Sequence, residues 1–230
     1  MKRTPNHDRM EGLVTVAAQL FAQKGFGETT VAELTQAMGL QRGGLYHYIE
    51  SKEDLLFAIH ERAQAPLLQR VLEIEGRGLP PDRALRELAH AMIFVIEHYQ
   101  DEVIVFFSEW RKINDDSKWE SVRRTRRRIE SVFHDVLERG EKEGIFAFAD
   151  RRIASIGFIG MLNYTSQWFD ARGRLDAHQI AEHFTDMFLE GIRTKDVPDG
   201  GTGNSSALDG VRAGSRLAPS STTPFPDRRT

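Results

Sequence analysis

The chain has 230 residues, 40% of them hydrophobic, with a formal net charge of -3, so it can bury a sizeable core and reads as globular, with one or two domains. It has no cysteine, which excludes disulfides, zinc ribbons and thiol nucleophiles together and fits a reducing, cytoplasmic setting. Asp8 and Glu11 interrupt the basic stretch before Leu13 and no small-x-small cleavage site follows; Glu97, His98, Asp101 and Glu102 break the longest apolar region, so neither a signal peptide nor a membrane partner is expected.

Leu13, Val14, Ala17, Leu20 and Phe21 recur at helical spacing and predict a first helix from about Asp8 to Lys24, stopped at Gly25. Thr30-Val-Ala-Glu33 is a capping box that opens a second helix, whose apolar stripe is Val31, Leu34 and Met38. Gly39 supplies a tight turn, Leu40 an apolar anchor, and a short third helix follows from about Gln41 to Tyr46. Ser51-Lys-Glu-Asp54 opens a fourth helix, with Leu55, Leu56 and Ile59 facing inward. After a break at Gly76 to Pro81, helical patterns run over about Asp82 to Tyr99, Glu102 to Lys112, Trp119 to Glu143, Asp150 to Ala171 and His178 to Ile192. No segment alternates with period two over strand length, so the expected fold is all-α. From Thr194 on, glycine, serine, threonine and proline displace large apolar residues, and a disordered tail is expected. The expected units are a helix-turn-helix domain over 1–64, a helical domain over 65–193 and the tail over 194–230, with the glycine and proline break near the junction of the first two.

Helices two and three with the turn between them make a helix-turn-helix pattern, a short helix, a glycine turn and a second helix able to lie in a DNA major groove. Gly43 and Gly44 sit inside that second helix, where each costs about 1 kcal/mol against alanine, and Tyr46, His47 and Tyr48 crowd directly behind them. A first helix ending Phe21-Ala-Gln-Lys-Gly25, then Thr29-Thr30-Val31, Met38-Gly39-Leu40, Gly43-Gly44-Leu45-Tyr46-His47-Tyr48 and Ser51-Lys52-Glu53-Asp54-Leu55 follow in an order that resembles the TetR family of bacterial transcriptional regulators over about the first sixty residues.

With helix three in the groove, Gly43 and Gly44 let the backbone approach the sugar-phosphate wall, Tyr46 offers its hydroxyl to a phosphate, and His47 reaches a phosphate or a base. Thr30 contacts the DNA backbone, and Lys52 with the start of helix four forms an anion site. The family commonly has threonine, serine or alanine at position 44, so base reading shifts to Gln41, which suits adenine, and to Arg42, which suits guanine or only phosphate. Plainer readings stand beside these: Tyr46 and Tyr48 as caps on a small core, the glycines as a loop, Lys52 as a solvated lysine. The sequence pI of 6.3 argues mildly against DNA, yet Lys2, Arg3, Arg9, Arg42 and Lys52 fall near one expected surface.

The resemblance implies that the later helices bind a small effector and that the last two pair with those of a second copy, giving a homodimer that reads half-sites of a partly palindromic double-stranded operator about 34 Å apart. Effector binding then shifts the population to a dimer that no longer fits, the usual behaviour of a repressor. Phe107-Ser-Glu-Trp-Arg111, the arginine-bearing seventh helix, Gly140 to Ile145 and Asn163 to Trp168 before Arg172 are similar to the branch that senses acyl-coenzyme A thioesters, including regulators of fatty-acid and steroid breakdown. In that reading Phe106, Phe107, Trp110, Phe158, Met161 and Trp168 take the acyl part, and Arg111, Arg123, Arg127 or Arg172 the phosphates. The other reading makes the apolar residues core and the run Arg123 to Arg128 a solvated face paired with acids. Gly157 and Gly160 either allow close contact between subunits or accommodate bulky neighbours within one. Two other functional classes compete: a binding module without specific DNA recognition, and a regulator of hydrophobic-compound efflux. His60, His90, His98, His134, His178 and His183 show no metal-ligand spacing and no nucleophile pair, so no enzyme, catalytic residue, metal or cofactor is expected.

Overall fold

The order of helix starts in this computed structural model follows the local signals. It describes residues 5–110 and 117–192, with the backbone alone for residues 5–8 and Arg42. Among the described residues there are nine α-helices and no strands: α1 Pro5–Lys24, α2 Val31–Ala37, α3 Arg42–Leu45, α4 Lys52–Gly76, α5 Pro81–His98, α6 Gln100–Glu109, α7 Glu120–Lys142, α8 Arg151–Tyr164 and α9 Ala177–Ile192. The expected tail, Arg111 and the basic pair Lys2 and Arg3 lie outside the described residues.

α1, α2 and α3 close over a small core in which Leu13, Ala17, Phe21, Leu34 and Leu45 are at most 1% exposed. Gly39, at a φ of 63°, takes the left-handed conformation that reverses the chain after α2, and the next amide, Leu40 N, bonds Thr35 O at 2.8 Å. α4 packs on α1, α5, α6 and α7, and it runs unbroken past the residue 64 boundary expected from sequence. The described residues belong to one compact unit. α5 lies along α9, and its apolar stripe Leu85, Leu88, Met92, Ile96 is buried beside Phe133 of α7 and Phe158 of α8 in one continuous core.

Two places decide the shape of the second half. At the end of α7 a Cβ on Gly140 would stand 2.1 Å from the ring of the buried Phe146, so only glycine lets the chain double back and seat that ring. α8 is shorter than expected, ending at Tyr164 instead of continuing to Ala171. Gln100 Nε2 donates to Ser166 O at 2.9 Å and Phe169 O at 3.0 Å, and Ser166 Oγ donates to Asn163 O at 2.9 Å. The side chains thereby satisfy carbonyls that a longer helix would have used itself, which favours the turn that follows.

Candidate DNA-reading surface and effector cavity

The capping box at α2 forms as expected. Glu33 N donates to Thr30 Oγ1 at 3.2 Å and Thr30 N to Glu33 Oε2 at 2.8 Å. Lys24 Nζ, 2.5 Å from Glu33 Oε1, together with the Thr30 bonds holds that carboxyl down at about 2. α3 turns Leu45 into the core and leaves Gln41, Gly43, Tyr46 and His47 exposed, with Tyr46 at 55%. A Cβ on Gly43 would meet nothing within 4 Å, and one on Gly44 only Leu40 Cβ at 3.8 Å, an ordinary contact. Nothing among the described residues therefore demands glycine in α3, although each glycine forfeits about 1 kcal/mol of helix propensity. The bareness faces outward.

Lys52 requires a correction. Its ammonium donates to Phe26 O at 2.7 Å and Thr29 O at 2.9 Å and lies 4.3 Å from the Phe26 ring centre. It holds the α1–α2 turn closed, and neither an anion site nor a merely solvated lysine describes that placement. Tyr48 packs against the core with its hydroxyl accepting from Arg9 Nη1 at 3.3 Å, which matches the capping reading. Thr30 is exposed at the start of α2, where its hydroxyl is already shared with Glu33.

α4 to α8 line a cavity of about 100 Å³. Leu67, Met92, Val103, Phe106, Phe107 and Phe133 form apolar walls, and Gln64, Arg126, Glu130 and Asn163 bring the polar groups. Gln64 is buried on an otherwise apolar face of α4, and its Nε2 has no acceptor among the described residues. Arg126 Nε donates to Glu130 Oε1 at 2.7 Å while its guanidinium stacks 4.2 Å from the Trp110 ring centre. A groove of about 560 Å³ between α7 and α8 shares Arg126, Glu130, Ile159 and Asn163 with the cavity and adds His134, Arg152 and Ser155. An apolar end joined to a partly basic groove can hold an amphipathic anion.

Of the expected effector residues, Phe107 lines the cavity and Trp110 backs it, 5.3 Å from Phe106. Arg123 and Arg127 are not among the residues that line it; Glu120 pairs with both, at 3.2 and 2.7 Å, and while the Arg127 side chain is exposed and fits a solvated, acid-paired face, that of Arg123 is mostly covered. Met161 is half-buried in the core. Trp168 lines a separate surface depression with Gly173 and Leu175, and Arg172 is exposed in the turn closed by Arg172 N and Asp170 Oδ1 at 2.9 Å. Both lie past the early end of α8, off the helical stripe that would have carried them to the cavity. Sequence reasoning missed Gln64 and Arg126. The signal for Gln64 was a polar residue on the face of Ile59, His60 and Ala63; for Arg126 it was Glu130 one turn on.

Residues 13–59 match the family described as bacterial regulatory proteins, tetR family, and residues 78–192 match the family described as tetracyclin repressor-like, C-terminal domain. The chain belongs to the TetR family. It is a DNA-binding transcriptional regulator and not an enzyme. The transcriptional repressor KstR2 of Mycolicibacterium smegmatis is 26% identical over 186 residues, covering 80% of this chain and 90% of that protein. The NemR repressor of Escherichia coli is 36% identical over 87 residues, 37% of this chain and 44% of that one. Among solved structures, the ketosteroid transcriptional regulator KstR2 of Mycobacterium tuberculosis superposes with a TM-score of 0.77 at 24% identity, over 81% of this chain and 96% of that chain. AibR in complex with isovaleryl coenzyme A and operator DNA gives 0.69 at 24% identity, over 78% and 97%.

In this TetR regulator the cavity and the reading head meet along α4. Phe106, in the cavity wall, stands 5.2 Å from the His60 ring, and Trp119 touches His60 at 5.3 Å and Phe57 at 5.5 Å. His60 is fully buried, with Nδ1 2.8 Å from Leu56 O, and burial pushes its imidazole down to about 4. The folded chain thus keeps His60 neutral where the unfolded chain, at its ordinary 6.5, takes a proton, so this group's contribution to stability is lost as pH falls from about 6.5 to about 4. Nearly two turns earlier, Asp54 Oδ2 accepts from Ser51 N at 2.8 Å and Glu50 N at 2.9 Å, while Oδ1 takes Lys118 Nζ. Lys118 is the largest cause holding the Asp54 carboxyl below its usual range.

Proposed function

We propose that this regulator is a homodimeric repressor that sits on a partly palindromic operator and is released by an acyl-coenzyme A thioester. The observation that carries the DNA half is the outward bareness of α3. Gly43 and Gly44 have no internal reason to be glycine, whereas backbone approaching a groove wall supplies one. Gln41 and Arg42 at the start of α3 read bases, and Tyr46 and His47 with the exposed edge of Thr30 bind phosphates. A protein with this partner works where the DNA is, in the cytoplasm.

Dimerisation through α8 and α9 is supported by Ile153, Ile156, Tyr164 and Met187, all more than half exposed. A Cβ on Gly157 or Gly160 would meet nothing within 4 Å, so these glycines accommodate no neighbour within the chain and suit close approach of a second copy. Two reading heads then face half-sites roughly 34 Å apart.

For the effector, the apolar cavity takes the acyl end, Gln64 Nε2 donates to the thioester carbonyl, and Arg126 with Arg152 and His134 along the groove faces the phosphates. The bound isovaleryl coenzyme A of the AibR complex supports the same class. The test is a mobility-shift titration on the chain's own upstream DNA across a salt series, repeated with short-chain acyl-coenzyme A esters, the free acids and coenzyme A. Affinity should fall steeply with salt and drop further with the ester alone. Absence of any specific binding would leave a ligand-binding module.

A further inference from the structure

We propose that His90, His178 and Glu182 form a binding site for a zinc-class divalent cation that staples α9 to α5. His178 and Glu182 lie four residues apart on one face of α9, and His90 meets them from α5. His90 Nε2 is 2.5 Å from Glu182 Oε1, the two imidazole ring centres are 4.6 Å apart, and one ligand atom from each of the three residues falls within 4.8 Å of the other two. Zinc held about 2.0–2.1 Å from each donor spaces them roughly 3.3 Å apart, which rotation of the exposed His178 ring and a slight parting of His90 from Glu182 achieve. Two imidazole nitrogens, one carboxylate and no thiolate select zinc, cobalt or nickel over calcium or magnesium.

The surroundings complete the site. Glu182 Oε2 takes Arg86 Nη1, and Arg86 Nη2 bonds Asp186 Oδ1 at 2.6 Å, so the carboxylate is oriented from behind while the Glu182, Asp186 and Arg86 charges leave one net negative charge for the cation. His90 and His178 line an open groove of about 370 Å³ that gives an ion its entry and a water the fourth position. Sequence spacing alone does not bring the three together, because His90 is 92 residues from Glu182 and only the packing of α5 on α9 joins them.

The test uses the untagged full chain, freed of metal with a chelator, titrated with Zn²⁺ by calorimetry and with Co²⁺ by visible absorption. One ion per chain should bind and raise the melting temperature. His178→Ala, which removes an exposed side chain and should leave the circular dichroism unchanged, should weaken Zn²⁺ by more than about tenfold, the low end of what losing even an outer-shell partner costs, and abolish the cobalt bands. His183→Ala, at an exposed histidine on the same helix, should bind as the parent does. No stoichiometric binding, affinity unchanged in His178→Ala, or equal loss in both variants would overturn the proposal.

Discussion

α3 and the end of α7 each hold glycine inside a helix, for opposite reasons. At Gly140 the constraint is internal, because the Phe146 ring occupies the space a side chain would need. At Gly43 no described residue stands within 4 Å of where a side chain would begin. A glycine whose neighbours leave no room reports on packing; in the proposed reading, Gly43 reports instead on the groove wall that α3 approaches.

Substitution should separate the two. Gly140→Val should cost about 3 kcal/mol, the upper end of overpacking, read as a lower urea midpoint with DNA binding intact in whatever fraction remains folded. Gly43→Leu should do the reverse, leaving the melting temperature unchanged or slightly raised while operator affinity falls about 100-fold; a normal operator affinity would remove the outward constraint from the account. The same contrast runs through the arginines of α7. Arg126→Ala should weaken the effector's release of DNA about tenfold, whereas Arg127→Ala, losing an exposed pair with Glu120, should change it by less than about 1 kcal/mol in coupling; equal effects would show that the cavity does not sort them. The smallest effect should come from Thr30→Ala, about 1 kcal/mol of stability from the α2 cap, and an additional operator loss that is uniform across sequences would mark the phosphate contact.

Local chemistry made much of this legible from sequence. The Thr30 and Glu33 box, the Gly39 reversal and the apolar stripes placed the helices, and the order of short motifs placed the reading head. What escaped depends on distant partners. Lys52 reads as a free cation until the carbonyls of Phe26 and Thr29 come beside it. Six consecutive residues carrying five arginines advance about 100° each around α7, and only the phase at which that helix packs decides that Arg126 faces the cavity. The early end of α8, which strands Trp168 and Arg172, depends on Gln100, 66 residues away.

Asp54 has one oxygen on the amides that close the reading segment and the other on Lys118, just ahead of the helix that walls the cavity. A displacement of that helix by a ligand would be felt at the fulcrum itself, not relayed along the shaft. Because an ion pair near the surface yields to ionic strength, the same salt that loosens the grip on DNA also softens this link between the cavity wall and the reading segment.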